Sequence, residues 1–209
     1  MILLPKRLAA ITKATSKERS RYTLAGVHII DRGAGKYRVA ASDGKAAIVV
    51  EGSSAPDEYP GIPGLPPGMP GECTAPAAAL EAALKCVTKQ KGRPILENLA
   101  VALDAPSSAV FASTDGEHHR CSPSVPLDGQ FPPVETVFPA STKPKATAFF
   151  DAALLSKTLA TIAAIHGGRP AVVRIDFRED KAPIHISARG DGGLEVGAVV
   201  MPMCADFPP

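Results

Sequence analysis

Ala41-Ser42-Asp43-Gly44-Lys45-Ala46 closes a tight turn between two apolar runs, residues 36–41 and 45–51. Aspartate before glycine is turn chemistry, because the carboxylate accepts nearby backbone N–H groups and glycine takes a positive φ without steric cost. Short β-rich runs on either side of such a turn form a hairpin. Outward from it, residues 22–30 add a third strand, and residues 6–16 place Leu8, Ile11 and Thr15 on one helical face. A short strand at residues 2–4 precedes that helix. The unit is therefore strand, helix, then three strands.

The same order returns twice, at a period of about 65 to 75 residues. Pro76 suits a first helical turn, Leu80, Leu84 and Val87 repeat at helical spacing, and Gly92 with Pro94 ends the helix. Strands follow at residues 96–103, 109–113 and 117–122, with a leading strand at 72–74. The third copy has a leading strand at 146–150 and an N-cap at Asp151. Leu155, Leu159 and Ile162 share one helical face, and Gly167-Gly168 is the stop. Strands at 171–177, 184–188 and 194–203 complete it. The expectation is an α+β fold with antiparallel sheets and helices on one face. Residues 1–127 form one domain of two units (1–52 and 72–124, with a Pro- and Gly-rich loop at 53–71), 128–144 a linker, and 145–209 a third unit. Both connections, 53–71 and 123–144, read as solvated segments and not as elements.

At 209 residues and 45% hydrophobic composition, the chain buries one or two cores. The 23 Lys and Arg against 21 Asp and Glu leave a net charge of +2, so any contact with nucleic acid depends on where the basic residues cluster. The N-terminal apolar run is too short for a signal peptide, and no run approaches the ~20 apolar residues of a membrane span. The expectation is a soluble cytoplasmic protein without membrane contact. Cys73, Cys86, Cys121 and Cys204 have no C-x-x-C spacing and fit reduced thiols.

Around ideal α-helices, Lys6, Lys13 and Lys17 fall within a sector of about 40°, opposite Leu8 and Ile11. Lys85 and Lys89 share one side of the second helix, and Lys157 sits among Ala153, Ala160, Thr161 and Ala164 on the third. Such faces, small residues between lysines, let a phosphate backbone approach and bind it without reading sequence. An ordinary solvated face has the same pattern, and Glu81 beside Lys85 favours it. Catalytic chemistry is harder to assemble. His118, His119 and Cys121 invite a metal, but neighbours on a strand point to opposite faces and no second ligand pair is near. Asp43 and Asp115 each precede glycine in a turn and are not a carboxylate pair. Gly33-Ala34-Gly35-Lys36 lacks the spacing of a phosphate-binding loop. No enzyme, cofactor or metal is expected.

Four motifs, in order and in frame with the repeats, resemble the bacterial DNA polymerase III beta subunit, the sliding clamp. Arg21-Tyr22-Thr23-Leu24-Ala25-Gly26 is similar to R-Y-x-L-N-G, and Val39-Ala40-Ala41-Ser42-Asp43-Gly44-Lys45-Ala46-Ala47 to V-A-T-D-G-H-R-L-A. Asp128-Gly129-Gln130-Phe131-Pro132 through Val137-Phe138-Pro139 looks like D-G-x-F-P-D-Y-x-x-V-L-P, and Val200-Met201-Pro202-Met203 matches V-M-P-M. The resemblance spans residues 4–203, as one middle domain plus one further unit. It implies helices toward duplex DNA, with Lys6, Lys13, Lys17, Arg21, Lys85, Lys89 and Lys157 as phosphate contacts. It also implies a pocket for a hydrophobic peptide of a polymerase or other replication or repair protein. Leu24, Ser42, Gly44, Lys45, Ala46, Ala47, Pro132, Thr136, Val137, Val200, Met201, Pro202 and Met203 would line that pocket. The family's His-Arg-Leu is here Lys45-Ala46-Ala47, and Cys204-Ala205 replaces Arg-Leu, which removes bulk and a fork-shaped donor. Alternation alone would instead make Met201 and Met203 core residues of a last strand.

Three functions follow. The first is a clamp that encircles or tethers to DNA as a homo-oligomer, with four chains of three units supplying the family's twelve. The second is a module without a ring that binds or sequesters a replication protein. The third is an unrelated α+β metal-dependent enzyme.

Overall fold

Around the Asp43-Gly44 turn the backbone forms β3 (Lys36–Ser42) and β4 (Ala47–Ser53), paired antiparallel from Lys36↔Ser53 to Ser42↔Ala47. A computed structural model of the chain describes residues 1–54, 62–88, 97–104, 108–134, 147–165, 172–177, 183–189 and 195–203, with backbone alone at 19–21. The chain divides into two compact units, Met1–Pro139 and Ala140–Pro209.

In unit 1, β2 (Gly26–Asp31) lies beside β3, and β5 (Gly71–Pro76) lies beside β2, giving the order β4-β3-β2-β5. The second sheet runs β1-β6-β7-β8, from β1 (Ile2–Pro5), β6 (Asn98–Asp104), β7 (Ser108–Thr114) and β8 (His119–Ser124). Each repeat thus lends the strand before its helix to the sheet of the other repeat. All pairings are antiparallel, and alternation turns Val27, Ile29 and Val39 on one sheet, and Leu99, Val101 and Phe111 on the other, into one shared core. Leu80 and Leu84 of α1 (Ala77–Cys86) reach 0% exposure there, each worth roughly 1.5–3 kcal/mol of transfer free energy.

Two local expectations change. The first helix, Lys6–Ala14, is 3₁₀ and not α. Its apolar positions Leu8, Ile11 and Ala14 recur at three residues, the period of a 3₁₀ turn, so that geometry keeps all three against the core. Residues expected to begin the third strand instead form a second 3₁₀ turn, Arg19–Ala25, and β2 starts only at Gly26.

The Pro- and Gly-rich connection is not simply solvated. Ile62 and Leu65 pack against Leu3, Ala100 and Ala112 on the outer face of the second sheet, and the Met69 amide donates to Leu103 O at 3.0 Å. The linker behaves alike on the first sheet, where Phe131 and Val134 pack against Leu24 and Ala40.

Unit 2 holds one repeat: α2 (Ala152–Ile165) against a sheet ordered β11-β10-β9, from β9 (Val173–Asp176), β10 (Ile184–Arg189) and β11 (Glu195–Val200). Asp151 caps α2, its Oδ1 accepting the Leu154 amide at 2.7 Å. The leading strand expected at 146–150 does not form over residues 147–150, where Phe149 O accepts the Met203 amide at 2.7 Å. Fold class is as the sequence reads: α+β with antiparallel sheets and few helices.

Candidate functional site

On the helical side of unit 1, Lys13 and Lys85 are exposed, and the charge of both reaches the Glu81 carboxylate. Lys85 Nζ lies 2.8 Å from Glu81 Oε1, one helical turn away. Hydrogen bonding and charge from Lys85, with a further contribution from Lys13, hold the Glu81 carboxyl below its usual range. Other expected phosphate contacts are placed differently. Lys6 donates to Val87 O just past α1, which occupies its ammonium at a helix C-terminus. At three residues per turn, Lys6 and Lys13 point about 120° apart and not along one stripe. Lys17 is exposed but follows the helix, and Lys157 is exposed on α2 in unit 2. Lys89 and the Arg21 side chain lie outside the described residues. Two cations not picked from sequence, Arg7 and Arg120, are also exposed, and Arg120 Nη1 approaches Cys86 Sγ at 3.9 Å. No sequence signal marks Arg120, since β8 reaches the end of α1 only in three dimensions.

The turn expected to contact a peptide is built by its own hydrogen bonds. Asp43 Oδ1 accepts the Lys45 and Ala46 amides, both at 2.8 Å, and these hold its carboxyl below the usual aspartate range. Ser42, buried at 7% exposure, donates to Ala46 O at 2.8 Å and accepts the Gly44 amide at 3.1 Å. Gly44 takes φ +87°. Gly44, Lys45 and Ala46 are left exposed, while Ala47 packs with Leu24, Phe131 and Val134. Leu24, Ala47 and the linker are thereby brought together on one outer sheet face. Pro132 is exposed between the two anchors, and Thr136 and Val137 lie outside the described residues.

Beside these anchors the linker roofs a cleft of about 220 Å³ lined by His28, Glu72, Thr74, Leu127, Phe131 and Pro132, among others. The His28 ring stacks on Phe131 with centroids 5.0 Å apart, its Nδ1 lies 3.1 Å from Thr74 Oγ1, and its Nε2 lies 3.6 Å from Glu72. Sequence reading did not pick His28, because its neighbours come from β5 and from the folded-back linker. Gly129 permits that path: its φ is +99°, and a Cβ there would lie 2.9 Å from Thr23 Cγ2.

In unit 2, Val200 turns into the core at 2% exposure, Met201 and Met203 are exposed at 62% and 50%, and Pro202 is half-buried. The tail past β11 therefore presents two thioethers to solvent. His118 and His119 are exposed, Cys121 is half-buried, and among the described residues no group of three His, Cys, Asp or Glu side chains is placed to hold a metal. Burial pushes the Cys73 thiol up to about 11, which leaves it protonated. No described helix is long and apolar enough to cross a membrane.

No protein-family model and no curated protein matches the sequence. Solved structures do. The beta subunit from the DNA polymerase of Streptococcus pyogenes superposes with a TM-score of 0.70 at 16% identity, over 97% of this chain and 50% of that one. The DNA polymerase sliding clamp from Bacillus subtilis gives 0.70 at 15% identity, over 96% and 48%. The beta sliding clamp of Caulobacter crescentus gives 0.66 at 19% identity, over 96% and 50%. The chain has the sliding-clamp fold and spans about half the length of these structures.

Proposed function

We propose that this chain is a non-enzymatic, clamp-like protein that tethers to or encircles duplex DNA without reading its sequence, and that holds a replication or repair protein there through a short apolar peptide. The observation that carries the reading is the sliding-clamp fold with Lys13 and Lys85 exposed on the helical side of unit 1. Lysines among small residues act as point charges on phosphates, which favours affinity without sequence preference. Apolar peptide contacts are assigned within each unit: in unit 2 to Met201 and Met203, whose exposed thioethers make a deformable apolar surface, and in unit 1 to the Ser42 to Ala47 turn with the adjoining linker. Encirclement requires further copies, in keeping with a homo-oligomer.

The test is binding to duplex DNA of unrelated sequences across a salt series, with Lys13→Glu and Lys85→Glu combined. The expected result is equal affinity for all sequences, and a log–log salt slope reduced by about two phosphate contacts in the variant. Unchanged affinity and slope would remove the DNA assignment. A second reading, an interaction module without a ring, is favoured by one observation: Lys85 is already paired with Glu81 and Lys6 with Val87 O, so the helical face carries less free charge than its lysine count suggests. Retention on closed circular DNA, with release on linearisation, separates the two.

A further inference from the structure

Unit 2 follows the design of unit 1, but among the described residues its sheet has one strand fewer. In unit 1 the first strand after each helix, β2 or β6, is flanked by the strand that precedes the helix of the other repeat, with registers Val27↔Ala75 and Leu4↔Leu99. The strand β9 holds the same place after α2, yet among the described residues it pairs with β10 alone. Burial follows the pairing. The inward row of β6, Leu99, Val101 and Leu103, is 1%, 0% and 5% exposed, whereas Ile175 on β9 and Phe177 just beyond it are 38% and 56% exposed. Leu154 and Ile165 of α2 are likewise half in solvent. The segment just before α2, Thr147-Ala148-Phe149-Phe150, is apolar, as the leading strands β1 and β5 largely are, but forms no strand in its own unit.

We propose that β9 pairs antiparallel with residues 147–150 of a second copy of this chain, so that two copies of unit 2 build one two-repeat domain of the kind seen in unit 1. The proposal rests on the repeat architecture of the clamp fold and not on DNA binding. A second copy fits better than a foreign peptide because unit 2 offers both halves of the contact: an open edge and a pre-helix segment that can fill such an edge. A two-fold axis satisfies both at once in each copy, which is the self-complementarity of an isologous interface. A bound peptide would cover β9 but give residues 147–150, whose Phe149 O already accepts the Met203 amide, no sheet to join. The unit 1 registers transfer directly. Phe150 would face the partner's Val173, and Ala148 the partner's Ile175, which lays apolar side chains along the row that runs from partly buried Val173 to exposed Ile175.

Sedimentation equilibrium of the whole chain at micromolar concentration is expected to give an even number of copies; a monomer or a trimer overturns the proposal. Ile175→Lys is expected to yield folded monomers by mass and circular dichroism, and a variant that folds yet keeps its assembly overturns it. Cross-linking decides the register independently of that variant. In a background with Cys86, Cys121 and Cys204 replaced by serine, Ala148→Cys chains mixed with Ile175→Cys chains should form a disulfide between copies under mild oxidation. An even-numbered assembly without that link overturns the pairing. The salt-dependent DNA assay reads Lys13 and Lys85 in unit 1, so either reading can fail while the other stands.

Discussion

Leu80 and Leu84 on α1 are fully buried, while Leu155 and Leu159, at the same spacing on α2, are only partly so. The side chains are the same and the surroundings differ. In unit 1 one cluster draws on both repeats and both sheets, so each helix is covered by strands it does not itself precede or follow. In unit 2, among the described residues, a three-stranded sheet faces the helix and five buried residues make the core. A repeat by itself has too little sheet to cover its helix, the usual penalty of small size.

The sharpest way to break that comparison is truncation at matched positions. Leu84→Ala should destabilise unit 1 by about 2–5 kcal/mol, and Leu159→Ala should cost clearly less, because its site is already partly wet. Urea denaturation of the two variants checks this, and equal costs would mean that α2 is as well covered as α1. A smaller effect is expected where the linker crosses the second 3₁₀ turn. Gly129→Ala should cost roughly 1–2 kcal/mol for the left-handed backbone alone, with the Thr23 contact added, and should loosen Phe131 from His28. Faster proteolysis within the linker is the readout.

The smallest effect concerns two hairpin turns of unit 1, at Asp43-Gly44 and Asp115-Gly116, which are built alike. Thr114 donates to His118 O at 2.8 Å and accepts the Gly116 amide at 3.1 Å, and Asp115 Oδ1 accepts the Glu117 and His118 amides, repeating the Ser42 and Asp43 pattern. Backbone donors hold both aspartates below the ordinary value of 3.8. A carboxyl depressed by folding adds stability above its unfolded pKa and loses it as pH falls through the folded one. Carboxyl NMR titration should therefore show Asp43 and Asp115 titrating late in acid. Asp43→Asn keeps an acceptor oxygen and should flatten one of the two acid-sensitive contributions. A titration at the ordinary value would break the likeness.

This likeness also weighs on function. The Asp-Gly turn has a full folding explanation in both repeats, and only the first was assigned to a partner. The same holds for the connectors, since Ile62-Pro63-Gly64-Leu65 and Phe131-Pro132-Pro133-Val134 each set two apolar residues around an exposed pair, over Ala112 and Ala40 respectively, with Leu65 partly buried and the other three buried. The thioethers of Met201 and Met203, which strand alternation alone would bury, instead stay exposed, while the Met203 amide ties the tail to Phe149 O.

Much of the fold was legible because it is local. Turn chemistry at Asp43-Gly44, alternation through residues 36–53, and the spacing of Leu80, Leu84 and Val87 place hairpins and helices within a few residues of their bounds. The lysine stripe was misread for a local reason as well: 100° steps were applied to a segment whose apolar residues recur every third position. The cleft around His28 was not legible, because its walls come from β2, β5 and a linker about a hundred residues away in the chain.

By itself the sequence determined the repeated order of elements, the α+β class and the inward face of the unit 1 strands and helices, since hydrophobic period and turn residues act over a few positions. Only the tertiary structure decided that leading strands are exchanged between repeats, that both proline-rich connectors lie on sheet faces, and that Lys6 is spent on a helix end while Lys13 is not. Those outcomes depend on which distant backbone edge or carbonyl is within hydrogen-bonding reach, and no spacing along the chain records that distance.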